Sequence, residues 1–212
     1  NGRFGFSAKT TLSLAQSLYE RHKALTYPRT DSKHLPEDYL PTVKDTMQML
    51  ANSGMGHLAP FAKTAIAQGY IKPSKKVFDN AKVSDHFAII PTGVSPSKLD
   101  DFELKIYDMV ARRFVAAFYP VAKFEVTTPI TRVVNEAFKT DGKILTDPGW
   151  LAVYGKDAAG EDENVVPIKA GESAKTESLE LKENETRPPA RYSEATLLGA
   201  MEGAGKLVVL EG

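Results

Sequence analysis

At Pro120 the spacing of apolar residues changes, and this constrains the fold of the 212-residue chain more than any other feature. Before it, apolar side chains recur every three or four residues, the period of an amphipathic helix. After it they alternate with polar neighbours, the period of a strand. Helix is expected from Ser7 to about Lys23, with Ser7 as N-cap and Ala8, Leu12, Ala15, Leu18 and Tyr19 on one face. Pro36, Glu37 and Asp38 read as the first turn of a second helix, continuing through Leu40 to Ala51, and Leu58 to Gln68 reads as a third. The clearest helix covers residues 100 to 119, where Phe102, Ile106, Met109, Val110, Phe114 and Ala117 trace a stripe that Pro120 ends.

Beyond Pro120, Phe124, Val126 and Thr128 alternate as in a strand, and Pro129 puts that strand at an edge or a bulge. Asp141-Gly142, inside Phe138 to Leu145, has the composition of a two-residue hairpin turn. A further strand pair is expected around Val165 to Ile168 and Leu179 to Lys182, after a solvated acidic loop from Asp157 to Asn164. Arg187-Pro188-Pro189-Ala190-Arg191 is a stiff extended linker, and Ser193 caps a helix through about Met201. The expected class is therefore multidomain α and β: a helical module, a connecting helix, a β-rich module and the start of another helical segment.

Composition narrows the chemistry. With no cysteine, the chain has no disulfide, thiolate metal site or cysteine nucleophile. No apolar run reaches membrane-spanning length and no secretory signal pattern opens the chain, so a cytoplasmic protein without membrane contact is expected. The 27 basic and 27 acidic residues balance. Taken alone, that balance argues mildly against a nucleic-acid partner, but it is compatible with a local basic groove.

Two clusters carry potential chemistry. In Thr26-Tyr27-Pro28-Arg29-Thr30-Asp31-Ser32, the proline pushes Tyr27 into extended backbone, where residues i and i+2 project to one side. A tyrosine oxygen can attack a phosphodiester, and Arg29 could hold the non-bridging oxygens where charge develops. Thr30 and Ser32 add hydroxyl donors, while Asp31 suits the turn better than a phosphate. Alone, such a segment reads as an ordinary loop, and attack near pH 7 needs a base, cation or metal nearby. The second cluster, Lys82-Val83-Ser84-Asp85-His86-Phe87-Ala88-Ile89-Ile90-Pro91-Thr92, holds a histidine that is either a hydrogen-bonded structural residue or a group for phosphate contact or proton traffic near the phosphate. His22, His34 and His57 are scattered singly, without metal-ligand spacing.

The order and spacing of RFGFSAKTTLSLAQSLYE, ALTYPRTDS, SDHFAIIPT and RPPARYSEATLLGAMEGAGK resemble type IA DNA topoisomerases, especially the topoisomerase III branch. The resemblance implies an ATP-independent enzyme that cleaves and rejoins one DNA strand through a 5′-phosphotyrosyl intermediate, relaxing or decatenating DNA. By position, Tyr27 matches the nucleophile, Arg29 the arginine at the scissile phosphate, and His86 a histidine near the DNA. Thr30 and Ser32 complete the expected contacts to single-stranded DNA.

The implied fold is a toroid. Residues 1–96 would form the helical tyrosine domain, 97–120 a connecting helix, 121–186 part of a β-rich, barrel-like arch, and 187–212 the start of the basal domain. The family's Toprim domain, with its Mg2+ ligands, has no counterpart in this sequence, which contains no Asp-x-Asp pair. The chain is expected to be a fragment that binds no metal itself, is inactive alone, and depends on the Toprim and basal domains as partners. The alternative is a non-catalytic single-stranded DNA-binding or scaffold module of the same fold.

Overall fold

The computed structural model describes residues 1–155, 169, 171–173, 175–178 and 180–204. Helix α1 (Ala8–Glu20) starts where expected, because the Ser7 hydroxyl accepts the Thr10 N–H at 3.0 Å. A 3-10 turn at Glu37–Tyr39 leads into α2 (Leu40–Ala51), and α3 (Ala59–Ala67) follows. Helix α4 (Asp101–Phe118) opens with a capping box. The Asp100 carboxylate takes the Phe102 and Glu103 N–H groups, and Glu103 reaches back to the Asp100 N–H. Leu18, Val43, Met47, Leu50, Leu58, Ala62, Tyr107 and Val115 form the centre of one core shared by the four helices.

The buried face of α4 is rotated from the expected stripe. Ile106 and Phe114 are buried, but so are Glu103, Tyr107, Ala111 and Phe118, whereas Phe102 is 53% exposed. The reason is polar. Glu103, only 2% exposed, occupies the position that an apolar reading assigns to Phe102. It is held there by the Ser17 hydroxyl at 2.6 Å, Arg21 at 3.3 Å and His22 at 3.1 Å. Burial pushes this carboxyl up, but the Ser17 hydroxyl, the Asp100 N–H, His22 and Arg21 together hold it below the ordinary glutamate value. The α1–α4 contact thus has a satisfied charge at its centre.

The β part departs from expectation. Strand β1 (Lys123–Thr127) pairs antiparallel with β4 (Gly142–Asp147), and β2 (Ile130–Val133) with β3 (Glu136–Lys139). The tight turn is Val134-Asn135, with Val134 at φ 59°, and not Asp141-Gly142. Gly142 instead faces Thr127 as the first residue of β4, and Asp141 accepts the Thr128 hydroxyl at 3.1 Å. The two ladders are thus successive parts of one two-stranded ribbon, interrupted at Pro129, whose carbonyl takes the Thr140 N–H at 3.0 Å. Among the described residues the expected barrel-like closure does not appear. Residues 180–182 carry no strand, and Val165 to Ile168 and the loop Asp157 to Asn164 lie outside the described residues.

A 3-10 segment, Gly149–Tyr154, returns the ribbon to the end of α4, with the Trp150 N–H on the Pro120 carbonyl at 2.9 Å. Gly149 is obligatory there: its φ is +46°, and a Cβ would lie 2.6 Å from the Pro120 oxygen. The 187–191 linker is exposed and without regular structure, and Ser193 caps α5 (Glu194–Glu202) as expected.

Replacing Glu103 with alanine removes the α1–α4 tie and should cost about 2 kcal/mol at neutral pH, read by urea titration. Because the folded-state pKa is depressed, the stabilisation is present above the unfolded glutamate value of about 4.3 and is lost as pH falls through the lower folded value. The gap between parent and Glu103→Ala should therefore narrow in acid; an equal gap at about pH 7 and pH 3 would show that the charge is not its source.

Candidate active site

The tyrosine segment is a strap laid across the helical core. It leaves α1 through Lys23, whose left-handed φ of 53° is held by the Thr92 hydroxyl on its carbonyl at 2.6 Å. From there it pairs with residues of the histidine segment. Thr26 N–H donates to the Ile90 carbonyl and Thr92 N–H to the Ala24 carbonyl, both at 3.0 Å, around an antiparallel bridge between Leu25 and Pro91. Further along, Ala88 N–H donates to the His34 carbonyl, and Leu35 pairs in parallel with Phe78. The Thr26 side chain locks the crossing: its hydroxyl donates to the Ala88 carbonyl at 3.1 Å and accepts the Ile90 N–H at 2.9 Å.

This pairing brings the two sequence clusters together. The Tyr27 ring is half-buried, with its centroid 4.3 Å from the His86 imidazole and 5.5 Å from the Tyr19 ring, which meets it edge-on at 79°. Arg29 is exposed beyond a bend at Pro28, and among the described residues it makes no hydrogen bond or ion pair. Thr30 donates to the His86 carbonyl at 3.0 Å, and Ser32 donates to the Lys82 carbonyl at 2.7 Å. The hydroxyls that the sequence offers as phosphate donors therefore brace the strap in this structure. Asp31 accepts the Ser84 hydroxyl at 3.1 Å, a bond across to the histidine segment. Asp85 is exposed.

Tyr27 differs from the more buried phenols. Tyr107 is 1% exposed and burial pushes it up to about 12, so neither access nor ionisation suits it to attack a polymer. Tyr119 gives its hydroxyl to the Phe61 carbonyl at 2.9 Å. Sequence reasoning placed Tyr19 only on a helix stripe and passed over Thr26. The available signal for Thr26 was a hydroxyl beside the apolar Leu25, which must find partners once the segment is covered. Among the described residues no group of three or more His, Asp or Glu side chains could hold a metal ion, so the residues around Tyr27 do not fit a magnesium site.

The chain is similar to known proteins along nearly its whole length. A model of the DNA topoisomerase family matches residues 1–205. DNA topoisomerase 3 of Bacillus cereus is 41% identical over 215 residues, covering 97% of this chain and 29% of that protein. Its counterpart in Bacillus subtilis is 42% identical over 212 residues, 94% of this chain and 28% of that protein. Full-length topoisomerase I from Thermotoga maritima superposes with a TM-score of 0.68 at 24% identity, over 96% of this chain and 32% of that one, a likeness of fold. The chain thus spans 29% and 28% of the length of the two curated relatives.

Thr26→Val keeps the shape and removes the hydroxyl, leaving the Ala88 carbonyl and Ile90 N–H without this partner. It should lower stability by about 1–3 kcal/mol and loosen the Tyr27–His86 stack, while Thr26→Ser retains both. Thermal denaturation together with the ring-current shifts of the His86 protons checks this; unchanged shifts in Thr26→Val would show that the stack is set elsewhere.

Proposed function

Because the chain belongs to the type IA DNA topoisomerase family, in its topoisomerase III-like branch, we propose that Tyr27 is the nucleophile of a reaction that cleaves and rejoins one DNA strand. The observation that carries this is the strap itself: a half-buried phenol whose ring lies against the His86 imidazole, with the unpaired Arg29 guanidinium two residues further on. In the forward step the Tyr27 oxygen forms a bond to a backbone phosphorus, and the bond from phosphorus to the 3′ oxygen breaks. The phenol proton leaves, the 3′ oxygen gains a proton, and the phosphate stays on the 5′ end as a phosphotyrosine. The reverse step reseals the strand. One phosphodiester replaces another, so no ATP is consumed.

Arg29 faces the charge that develops on the non-bridging oxygens. His86, against the Tyr27 ring, is the titratable group placed for proton traffic near the phosphate. Thr30 and Ser32 are positioning residues, since their bonds to the His86 and Lys82 carbonyls fix the strap. Magnesium, which the family implies, has no fitting site among the described residues, and no step here runs through it. A Toprim domain would supply its ligands in the whole protein, with single-stranded DNA as substrate and altered DNA topology, by relaxation or decatenation, as the result. In this reading residues 1–96 bear the tyrosine, 97–120 connect, 121–186 belong to the gate's arch, and 187–212 begin the base of the toroid.

The test replaces the matching segment of the Bacillus cereus relative with this chain and traps covalent adducts on a labelled single-stranded oligonucleotide. Tyr27→Phe should eliminate the adduct, and Arg29→Ala should slow its formation by about 10²–10³-fold. The chain by itself should leave supercoiled DNA unrelaxed. An adduct that persists in Tyr27→Phe overturns the assignment, and its complete absence in the unsubstituted graft favours a binding module without chemistry.

A further inference from the structure

Phe102 is the residue that most defies its sequence pattern: an aromatic side chain at an apolar-stripe position of α4 that stands 53% exposed. It is not isolated. The Phe6 ring meets it edge-on at 5.4 Å and 80°, and Phe4 lies 5.7 Å from Phe6. Two cations sit on this cluster. Lys105 Nζ is 5.5 Å from the Phe102 centroid and 5.9 Å from that of Phe4, and the Arg3 guanidinium is 5.3 Å from Phe4. Neither cation has an ion-pair partner among the described residues: Asp100 is occupied by helix amides, and the exposed Asp101, one turn before Lys105, makes no ion pair with it.

From this juxtaposition of one exposed ring, two half-buried ones and two unpaired cations we infer a second contact site for single-stranded nucleic acid, where the start of α4 meets the segment before α1. The site offers what a single strand presents: a flat face for a base on Phe102, and positive charge for the adjoining phosphates on Lys105 and Arg3. An apolar protein partner would leave those cations without partners, whereas a polyanion with aromatic bases matches both features. The place is also suitable. Phe102 opens α4, where its neighbour Glu103 takes the Ser17 hydroxyl of α1, and Phe6 lines the same groove as Pro28, so the cluster flanks the strap that carries Tyr27. An apolar groove of about 350 Å³ along α1, lined by Phe6, Leu12, Ala15 and Pro28, links the aromatic cluster to the strap. The inference rests on the proposed function for its choice of DNA, and it adds that the strand is held at a point where no chemistry occurs.

The experiment measures anisotropy of a fluorescein-labelled oligo-dT sixteen-mer and of an abasic strand of equal length, with this chain and three variants. Phe102→Ala should weaken binding of oligo-dT by about tenfold and leave the abasic strand unaffected, since stacking on a base is what it removes. Phe102→Trp should restore binding, and Lys105→Ala should weaken both strands and flatten the salt dependence. Because both side chains are exposed, circular dichroism should show the fold intact in each variant. Unchanged oligo-dT binding by Phe102→Ala, equal losses on the abasic strand, or no binding by the unsubstituted chain overturns the site. Adduct trapping reads the Tyr27 chemistry and anisotropy reads the Phe102 contact, so failure here and failure of the nucleophile assignment give different results.

Discussion

The structure around the candidate site depends on one short exchange of hydrogen bonds, that between Thr26 and residues 88 to 90. A strap that carries Pro28 cannot enter a helix, and an isolated extended segment has no internal partners for its amides. Its backbone must be satisfied from outside. The histidine segment does so through the main chain at Ile90, Thr92 and Ala88, and the Thr26 hydroxyl closes the junction by both donating and accepting. Once that register is fixed, the Tyr27 ring meets His86, 59 residues later in the chain, without any contact chosen for the purpose. The catalytic reading of Tyr27 thus stands on a pairing of main chains, which is more rigid than a meeting of two flexible side chains.

The order of helices, their caps at Ser7 and Ser193, and the extended character of the tyrosine segment were legible because each rests on local chemistry. The association of the two motifs was not legible from periodicity, since the bonds that create it run between loops. The resemblance supplied it instead. Where local rules failed, a long-range contact had won. Asp141-Gly142 has ideal turn chemistry, yet the ribbon turns at Val134-Asn135 because β4 pairs with β1 and carries Gly142 into the ladder. Phe102 fits a helical stripe, yet Glu103 takes the buried place because Ser17, Arg21 and His22 wait there on α1 and its end. A sequence shows a carboxylate's charge and not the donors that will surround it.

The zero net charge is the observation most at odds with the proposed DNA partner, and it is a sum that hides where each charge stands. Several carboxylates are consumed internally: Glu103 by Arg21 and His22, Asp79 by Lys75 and Lys82, Asp108 by Arg112 and His57. The Glu103 and His57–Asp108 pairs tie one element to another, and the rest are local contacts three or four residues apart. Arg29, Arg3 and Lys105 are in no ion pair among the described residues, and Arg3 and Lys105 stand over aromatic rings. A chain can therefore be neutral in sum and still present positive charge at chosen points, because what a phosphate meets is the local field within about 10 Å and not the total. Composition averaged over 212 residues could not show this, since the same lysines and glutamates count equally whether they neutralise one another or face solvent. The argument against nucleic acid from net charge fails for that physical reason.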